Sequence, residues 1–175
     1  MEFNLNNAIT VLARTPEVLR NLLQGLPDEL TLGNEGGQTW SPFDVLGHLI
    51  HADRTDWVPR AQIILQFGES RAFDSFDRTA MFDQSEGKTL DNLLDEFAVA
   101  RRESLAELNA MKLSADDLKK TGLHPDPALG RVTIEQLLAT WVAHDLGHLT
   151  QISRTLAKQY RDAVGPWRQY ISILQ

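Results

Sequence analysis

The sequence contains no cysteine. This absence excludes disulfide bonds, thiolate metal ligands and a cysteine nucleophile. A Gly-rich phosphate-binding loop is also absent, and no serine stands in the sequence context of a nucleophile elbow. Any metal ion that the chain binds must therefore be held by nitrogen and oxygen atoms.

Excess positive charge and long apolar runs are absent as well. Lysine and arginine number 17 against 24 acidic residues, which gives a formal net charge of −7. This balance argues against a nucleic-acid partner, because binding to phosphates needs a basic face. No window approaches the ~18 apolar residues of a membrane span, and the N-terminus lacks the features of a signal peptide. We therefore expect a cytoplasmic protein with neither a nucleic-acid nor a membrane partner.

Helical periodicity dominates the 175 residues, of which 42% are hydrophobic. Apolar residues recur at helical spacing over 5–24, 41–67, 89–111 and 133–160. Pro59 should kink or break the second helix. No convincing strand is visible. The pattern predicts an all-α fold, a four-helix bundle formed by a single domain over residues 1–175.

The segments between the long helices are shorter and more polar. Residues 68–88 are expected to form an ordered excursion from the bundle, held in place by the aromatic side chains of Phe73, Phe76 and Phe82. A short helical turn is predicted at 115–119, followed by a loop rich in glycine and proline at 122–130. The tail at 167–174 is expected to pack back on the bundle.

His144 and His148 are the most informative residues of the chain. Their i, i+4 spacing puts both imidazoles on one face of a helix, as in helical metal sites. Asp145 stands where an H-E-x-x-H peptidase has glutamate, so the peptidase reading does not carry over. A further histidine, His48, occurs upstream in a similar Gly-His-Leu context. Together these residues predict a three-histidine metal site shared by two helices.

Each of these residues also has a purely structural interpretation. His144 and His148 lie on the apolar face of their helix, where a shared metal or two separate hydrogen bonds would satisfy them. Asp145 is also predicted to be buried. It either orients a ligand histidine or forms an ion pair with an arginine such as Arg54, and we favour the ion pair.

The sequence of the second helix does not decide which of its histidines is the metal ligand. From position alone His48 and His51 are nearly equal candidates, because the helix has no single apolar stripe. Asp44 and Thr55 lie on the same strip as His48, and either could reach into a site.

Structural roles are expected for the remaining histidine, His124, and for the tryptophans. The composition around His124 favours an exposed surface histidine, although its loop could fold over the end of the bundle. The tryptophans are expected to be packing anchors: Trp40, Trp57, Trp141 and Trp167.

Three segments of the chain resemble the DinB/YfiT-like superfamily of metal-dependent bacterial proteins. They are Trp40 to Leu49, Trp141 to Ile152 and Val164 to Tyr170. The order of one histidine in helix two and an H-x-x-x-H pair in helix four matches the family pattern. The resemblance covers essentially the whole chain.

The resemblance implies a four-helix bundle with a non-sequential helix order and one divalent metal near one end. The implied ligands are His48, His144 and His148, which resolves the choice between His48 and His51. Characterised relatives include S-transferases and isomerases that use low-molecular-weight bacterial thiols, and some hydrolases; relatives often pair through bundle helices.

From this resemblance we expect a homodimeric, metal-dependent thiol S-transferase that acts on a small molecule and uses zinc or nickel. The alternatives are a metal-dependent small-molecule hydrolase and a non-enzymatic metal-binding protein.

Overall fold

Helices dominate the computed structural model, which describes residues 2–175. Short 3-10 turns follow α5 and α9, at Gly68–Ser70, Gly165–Tyr170 and Ser172–Leu174. No helix in the described part of the chain is long and apolar enough to cross a membrane. The predicted all-α class is confirmed. The helices are α1 (Leu5–Leu12), α2 (Thr15–Leu23), α3 (Asp28–Thr31), α4 (Pro42–Thr55), α5 (Trp57–Phe67), α6 (Ala80–Ser85), α7 (Leu90–Ala110), α8 (Ala115–Leu118) and α9 (Ile134–Gln159).

Prolines divide the first two predicted helices. Helix α1 ends at Leu12, four residues before Pro16, and α4 ends at Thr55, four residues before Pro59. A proline has no N–H for the carbonyl four residues earlier, and its ring clashes with that carbonyl. The break caused by Pro59 was predicted. The continuous helix expected over 5–24 is wrong, because Pro16 separates α1 from α2.

Side-chain caps fix where the two helices that carry the histidines begin. Ser41 and Asp44 form a reciprocal capping box at the start of α4, and Thr133 and Gln136 form another at the start of α9. Each box satisfies backbone N–H groups that the first helical turn leaves free. Ser41 and Thr133 are also the first residues of the second and fourth predicted helical ranges, 41–67 and 133–160.

The long helices pack in a non-sequential order. Helix α4 packs against α7 and α9, and α5 packs against α9. The first segment finds its main neighbours later in the chain, since α1 packs on α9 and α2 packs on α7. The first segment, α1 and α2, and the second segment, α4 and α5, therefore lie diagonally opposite each other in the bundle. This order brings α4 directly beside α9, and with it their histidines.

Two tryptophans anchor the core beneath these histidines. Trp57 and Trp141 are buried, with ring centroids 5.8 Å apart and planes 11° from parallel. Burying a large apolar side chain stabilises a fold by about 1.5–3 kcal/mol. These two residues are packing anchors as predicted, whereas Trp167 is 69% exposed and anchors nothing. Within the C-terminal tail it is Leu174 that is buried, in a turn that packs on α9.

A small antiparallel hairpin contradicts the expectation that the chain has no strand. Strands β1 (Thr121–Leu123) and β2 (Arg131–Thr133) flank the predicted loop. The backbone N–H of Phe73 donates to the Leu123 carbonyl at 3.0 Å and ties the segment after α5 to this hairpin. A Cβ on Gly122 would lie 2.7 Å from Ile64 Cγ1, so only glycine permits this close packing.

The aromatic residues predicted to pin the segment at 68–88 do so unequally. Phe73 is buried and Phe76 is half-buried, but Phe82 is 47% exposed on α6. The expected excursion is therefore fixed by Phe73 and Phe76, and its third predicted anchor is wrong.

Candidate metal centre

Three imidazoles from two helices meet at one point. His48 comes from α4, and His144 and His148 come from successive turns of α9. The Nε2 atom of His144 lies 3.0 Å from Nε2 of His48 and 3.1 Å from Nε2 of His148. One nitrogen from each residue lies within 4.8 Å of the others. The structure thus brings together the three histidines singled out from the sequence.

This arrangement suits a cation better than it suits mutual hydrogen bonding. A neutral imidazole carries one N–H, so the single Nε2 atom of His144 cannot satisfy both of its neighbours. A metal between three unprotonated nitrogens would satisfy all of them. Tetrahedral zinc with Zn–N bonds of about 2.0–2.1 Å spaces its ligand nitrogens about 3.3 Å apart. The donor set therefore fits a divalent ion.

Burial keeps His48 and His148 neutral. It lowers the pKa of His48 to about 3 and that of His148 to about 4, with a further contribution from the neighbouring imidazoles. At neutral pH both rings are uncharged. Their nitrogen lone pairs are then available to a metal without the loss of a proton.

Gln151 orients one of the rings. Its side-chain oxygen Oε1 lies 2.8 Å from Nδ1 of His148. Because an amide oxygen only accepts, Nδ1 carries the proton and Nε2 presents its lone pair to the cluster. In the described residues the Nδ1 atoms of His48 and His144 have no hydrogen-bond partner. Gln151 was not identified from the sequence, although its i, i+3 spacing from His148 indicates the contact.

Aromatic rings surround the histidines. Trp40 stacks nearly parallel to His148, with centroids 6.3 Å apart, and lies 4.8 Å from the ring of His48. Phe76 meets His48 edge-on at 5.4 Å, and Trp57 meets His144 edge-on at 5.1 Å. Trp40 is therefore part of the site, beyond its predicted role as a packing anchor. The cluster is therefore bordered by aromatic rings on several sides.

A cavity of about 670 Å³ opens beside the histidines. Its wall combines the imidazoles with two aromatic rings, two arginines and two carboxylates. The three histidines thus lie at an accessible wall and are not sealed in the core. The lining residues are Trp40, His48, Asp56, Arg60, Ser75, Phe76, Arg78, His124, Pro125, Asp126, Leu129, His144 and His148.

Asp56 and Arg60 form a buried ion pair in this wall. The Nε atom of Arg60 lies 2.5 Å from Oδ1 of Asp56, and each residue is 8% exposed. Burial raises the pKa of the Asp56 carboxyl, and the charge of Arg60 opposes that rise. Neither residue was identified from the sequence, although the pair has helical i, i+4 spacing and lies where Pro59 breaks the helix.

The other candidates on α4 lie outside the cluster. His51 is buried one turn beyond His48, with its ring 4.9 Å from that of Phe76. The expectation that Asp44 or Thr55 could reach the site is wrong. Asp44 accepts hydrogen bonds from Ser41 at the helix start, and the Thr55 hydroxyl donates to the His51 carbonyl.

Asp145 is fully buried and paired, as predicted, but its partner differs from the expected arginine. Arg101 donates two hydrogen bonds to Asp145. It donates two more to Asp53, at 2.7 and 2.9 Å. Arg54 instead lies on the exposed face of α4 and pairs with Glu96. Nδ1 of His144 is 4.0 Å from Oδ1 of Asp145, too far for a hydrogen bond.

The predicted exposed position of His124 is wrong. Its loop folds over the end of the bundle, and the half-buried ring lines the cavity. The backbone N–H of Asp126 donates to Nδ1 of His124 at 3.0 Å. Composition favoured exposure because it carries no information about where the hairpin places this loop.

Comparison with known proteins agrees with the fold. The family model of the DinB superfamily matches residues 12–152. Among solved structures, the chain is similar to YfiT from Bacillus subtilis, described as a probable metal-dependent hydrolase with an unusual four-helix bundle topology. The TM-score is 0.71 and the sequence identity 23%, with 88% of this chain and 86% of that chain covered. No curated protein matches the sequence.

Proposed function

The chain belongs to the DinB superfamily, and on that basis we propose that it is a metal-dependent enzyme that transfers an external thiol to a small electrophile. In such a reaction a sulfur–carbon bond forms and the bond to the leaving group breaks. The thiol proton ends on the leaving group or on a base. The fold and the donor set support this proposal; the transferase chemistry is our inference from the family.

His48, His144 and His148 are the proposed ligands of one divalent ion, zinc or nickel. A divalent ion held by three neutral imidazoles keeps open positions and lowers the pKa of a thiol or water bound there. Gln151 holds the His148 ring in the tautomer that this role requires.

One observation carries the enzymatic reading: the histidine cluster forms part of the wall of a cavity of about 670 Å³. A purely structural metal site is usually closed by four protein ligands and kept dry. Within the described residues, no fourth histidine, cysteine or carboxylate joins the cluster. Space for a cosubstrate therefore lies directly beside the imidazoles.

The chain's own residues can serve this chemistry without supplying the nucleophile. The sequence has no cysteine, so a thiol must come from a cosubstrate. Trp40 and Phe76 present aromatic surface to a substrate in the cavity beside the histidines. We assign Asp56 the role of accepting the thiol proton at its carboxylate, because it is a buried acid of the cavity wall whose pKa is raised by burial.

Hydrolysis is the second candidate, favoured by the description of YfiT as a probable metal-dependent hydrolase. Water would then take the place of the thiol in the same cavity, and Asp56 would accept its proton. The two candidates share the metal ligands and differ in the nucleophile.

Cobalt-substituted protein separates these candidates. If a thiol is the cosubstrate, its addition should produce a sulfur-to-cobalt charge-transfer band, and His148→Ala should abolish both band and turnover. The control is His51→Ala, which should retain the band because His51 lies outside the cluster.

Other spectroscopic outcomes would redirect the proposal. Ester or amide turnover without any thiol-induced band would establish the hydrolase instead. A cobalt spectrum that no thiol or substrate alters would favour a non-enzymatic metal-binding protein.

A further inference from the structure

Two hydrogen-bond donors face each other in the cavity wall. Nη1 of Arg60 and Nε2 of His124 lie 3.4 Å apart. The Asp126 N–H donates to Nδ1 of His124, so Nδ1 must be unprotonated. The proton of the neutral ring is therefore on Nε2, which cannot accept from arginine. An acceptor that binds both groups would relieve this opposition of two donors.

The rest of the Arg60 guanidinium is only partly satisfied. Its Nε atom pairs with Asp56 at 2.5 Å. Its Nη2 atom reaches the carbonyl oxygen of Asp74 at 3.5 Å, beyond the 2.7–3.2 Å of a good hydrogen bond. Arg60 is 8% exposed and lines the cavity, so much of the residue is held by the protein while it also faces this space. A buried guanidinium with two weakly used amino groups is suited to an oxyanion.

We propose that Arg60 and His124 bind the carboxylate of a small-molecule substrate at the wall of the same cavity. This inference rests on the proposed function and specifies its substrate class. One carboxylate oxygen would accept from both Nη1 of Arg60 and Nε2 of His124, which converts two opposed donors into two hydrogen bonds.

An arginine of the cavity wall that has no direct ion-pair partner in the described part of the chain favours an anionic ligand. Asp56 already neutralises Arg60. Arg78 also lines the cavity, and over residues 2–175 it has no ion-pair partner within 4.0 Å. The second acidic residue of the wall, Asp126, accepts a hydrogen bond from the Ala128 N–H at the exposed turn. Arg78, without a direct carboxylate partner in the described residues, is therefore placed to attract a monoanion such as a carboxylate at neutral pH.

The placement of this subsite orients the substrate. Arg60 follows the break after α4, and His124 follows β1, whereas the metal-binding candidates come from α4 and α9. Both groups contribute to one cavity. A molecule whose carboxylate is held at Arg60 and His124 would extend its electrophilic carbon into the space beside the histidines. The substrate class is a small electrophile that carries a carboxylate.

Fluorine NMR on metal-free protein tests the subsite directly, with 4-fluorobenzoate as the probe and 4-fluorobenzamide as its uncharged control. Metal is removed so that the carboxylate cannot coordinate it. The wild-type protein should bind the carboxylate at least about tenfold more tightly than the amide, since a charge-assisted hydrogen bond contributes that much or more.

Two variants locate the effect. His124→Phe keeps an aromatic ring but removes the Nε2 donor, and it should weaken 4-fluorobenzoate binding by about tenfold. Arg78→Gln removes an exposed unpaired charge and should weaken binding by about two- to fivefold. Arg161→Gln makes the same charge change at an exposed arginine outside the cavity and should leave binding unchanged. Circular dichroism of each variant establishes that it is folded.

Several results would overturn the subsite. These are equal affinity for acid and amide, no binding of the acid, or unchanged affinity for the acid in His124→Phe. Zinc content is measured separately on the same proteins. Absence of zinc together with a retained preference for the carboxylate would mean that the proposed function fails and the subsite stands. Bound zinc without a preference for the carboxylate would mean that only the subsite fails.

Discussion

Removing the buried cation Arg101 should destabilise the protein strongly. This arginine joins the α4 residue Asp53 to the α9 residue Asp145, and it also donates to the Leu12 carbonyl at 2.9 Å. Its guanidinium lies over the rings of Phe97 and Trp141. Arg101→Met keeps much of the apolar contact and leaves two carboxylates buried without a cation.

The magnitude follows from the cost of an uncompensated buried charge. Removing one partner of a buried ion pair costs about 3–5 kcal/mol. For a chain of this length, each kcal/mol shifts the melting temperature by roughly 2–4 °C, so we expect a decrease of about 6–20 °C. Arg102→Met changes the exposed neighbour on the same helix and should shift the melting temperature little.

The loss should depend on pH in a defined direction. Burial raises the pKa of Asp53 from 3.8 to about 6, although Arg101 opposes that rise. Without Arg101 the pKa rises further. A carboxyl whose pKa is higher in the folded state binds more protons there, so stability falls as pH rises from about 4 through the folded-state pKa. The destabilisation caused by Arg101→Met should therefore be smaller at pH 5 than at pH 8.

Thermal unfolding at the two pH values tests this reasoning. Adding Asp53→Asn and Asp145→Asn to Arg101→Met should recover part of the stability, because the buried charges are then gone. A melting temperature within 2 °C of the wild type, or equal losses at pH 5 and pH 8, would refute the argument that buried charge dominates.

Three further predictions concern the metal and the assembly. Gln151→Leu should weaken zinc affinity by about 10–100-fold, because His148 loses the acceptor that fixes its tautomer. The control Gln62→Leu, at an exposed position, should leave zinc affinity unchanged, and equal zinc affinities of Gln151→Leu and the wild type would contradict the role of Gln151. A chelator should lower the melting temperature but leave helical circular dichroism largely intact, since the apolar core supports the fold; loss of helix at room temperature would contradict it. Light scattering should give twice the chain mass of 19.7 kDa, and a value of 19.7 kDa at all concentrations would exclude the dimer.

Most of the long helices and the pair of histidines on α9 were predictable because they depend on local signals. Caps such as Ser41 and Thr133 mark helix starts, and the i, i+4 spacing puts His144 and His148 on one face. The third histidine was different. Position alone left His48 and His51 nearly equal, and only the family resemblance favoured His48, which the structure places in the cluster.

The partners across the bundle were not predictable, since they depend on the order and rotation of the helices. Periodicity indicated that Asp145 is buried, but only the packing shows that Arg101 on α7 meets it, in place of Arg54. The same limit applies to His124, which reaches the cavity through a hairpin whose strands are three residues long. Strands this short have no readable alternation.

Metal content of purified protein tests the central claim most directly. Elemental analysis should find one divalent ion per chain in the wild type and in His51→Ala, because His51 is buried nearby but lies outside the cluster. His48→Ala, His144→Ala and His148→Ala should each lose the ion. Stoichiometric metal in His144→Ala would contradict the account, as would loss of metal in His51→Ala together with its retention in His48→Ala.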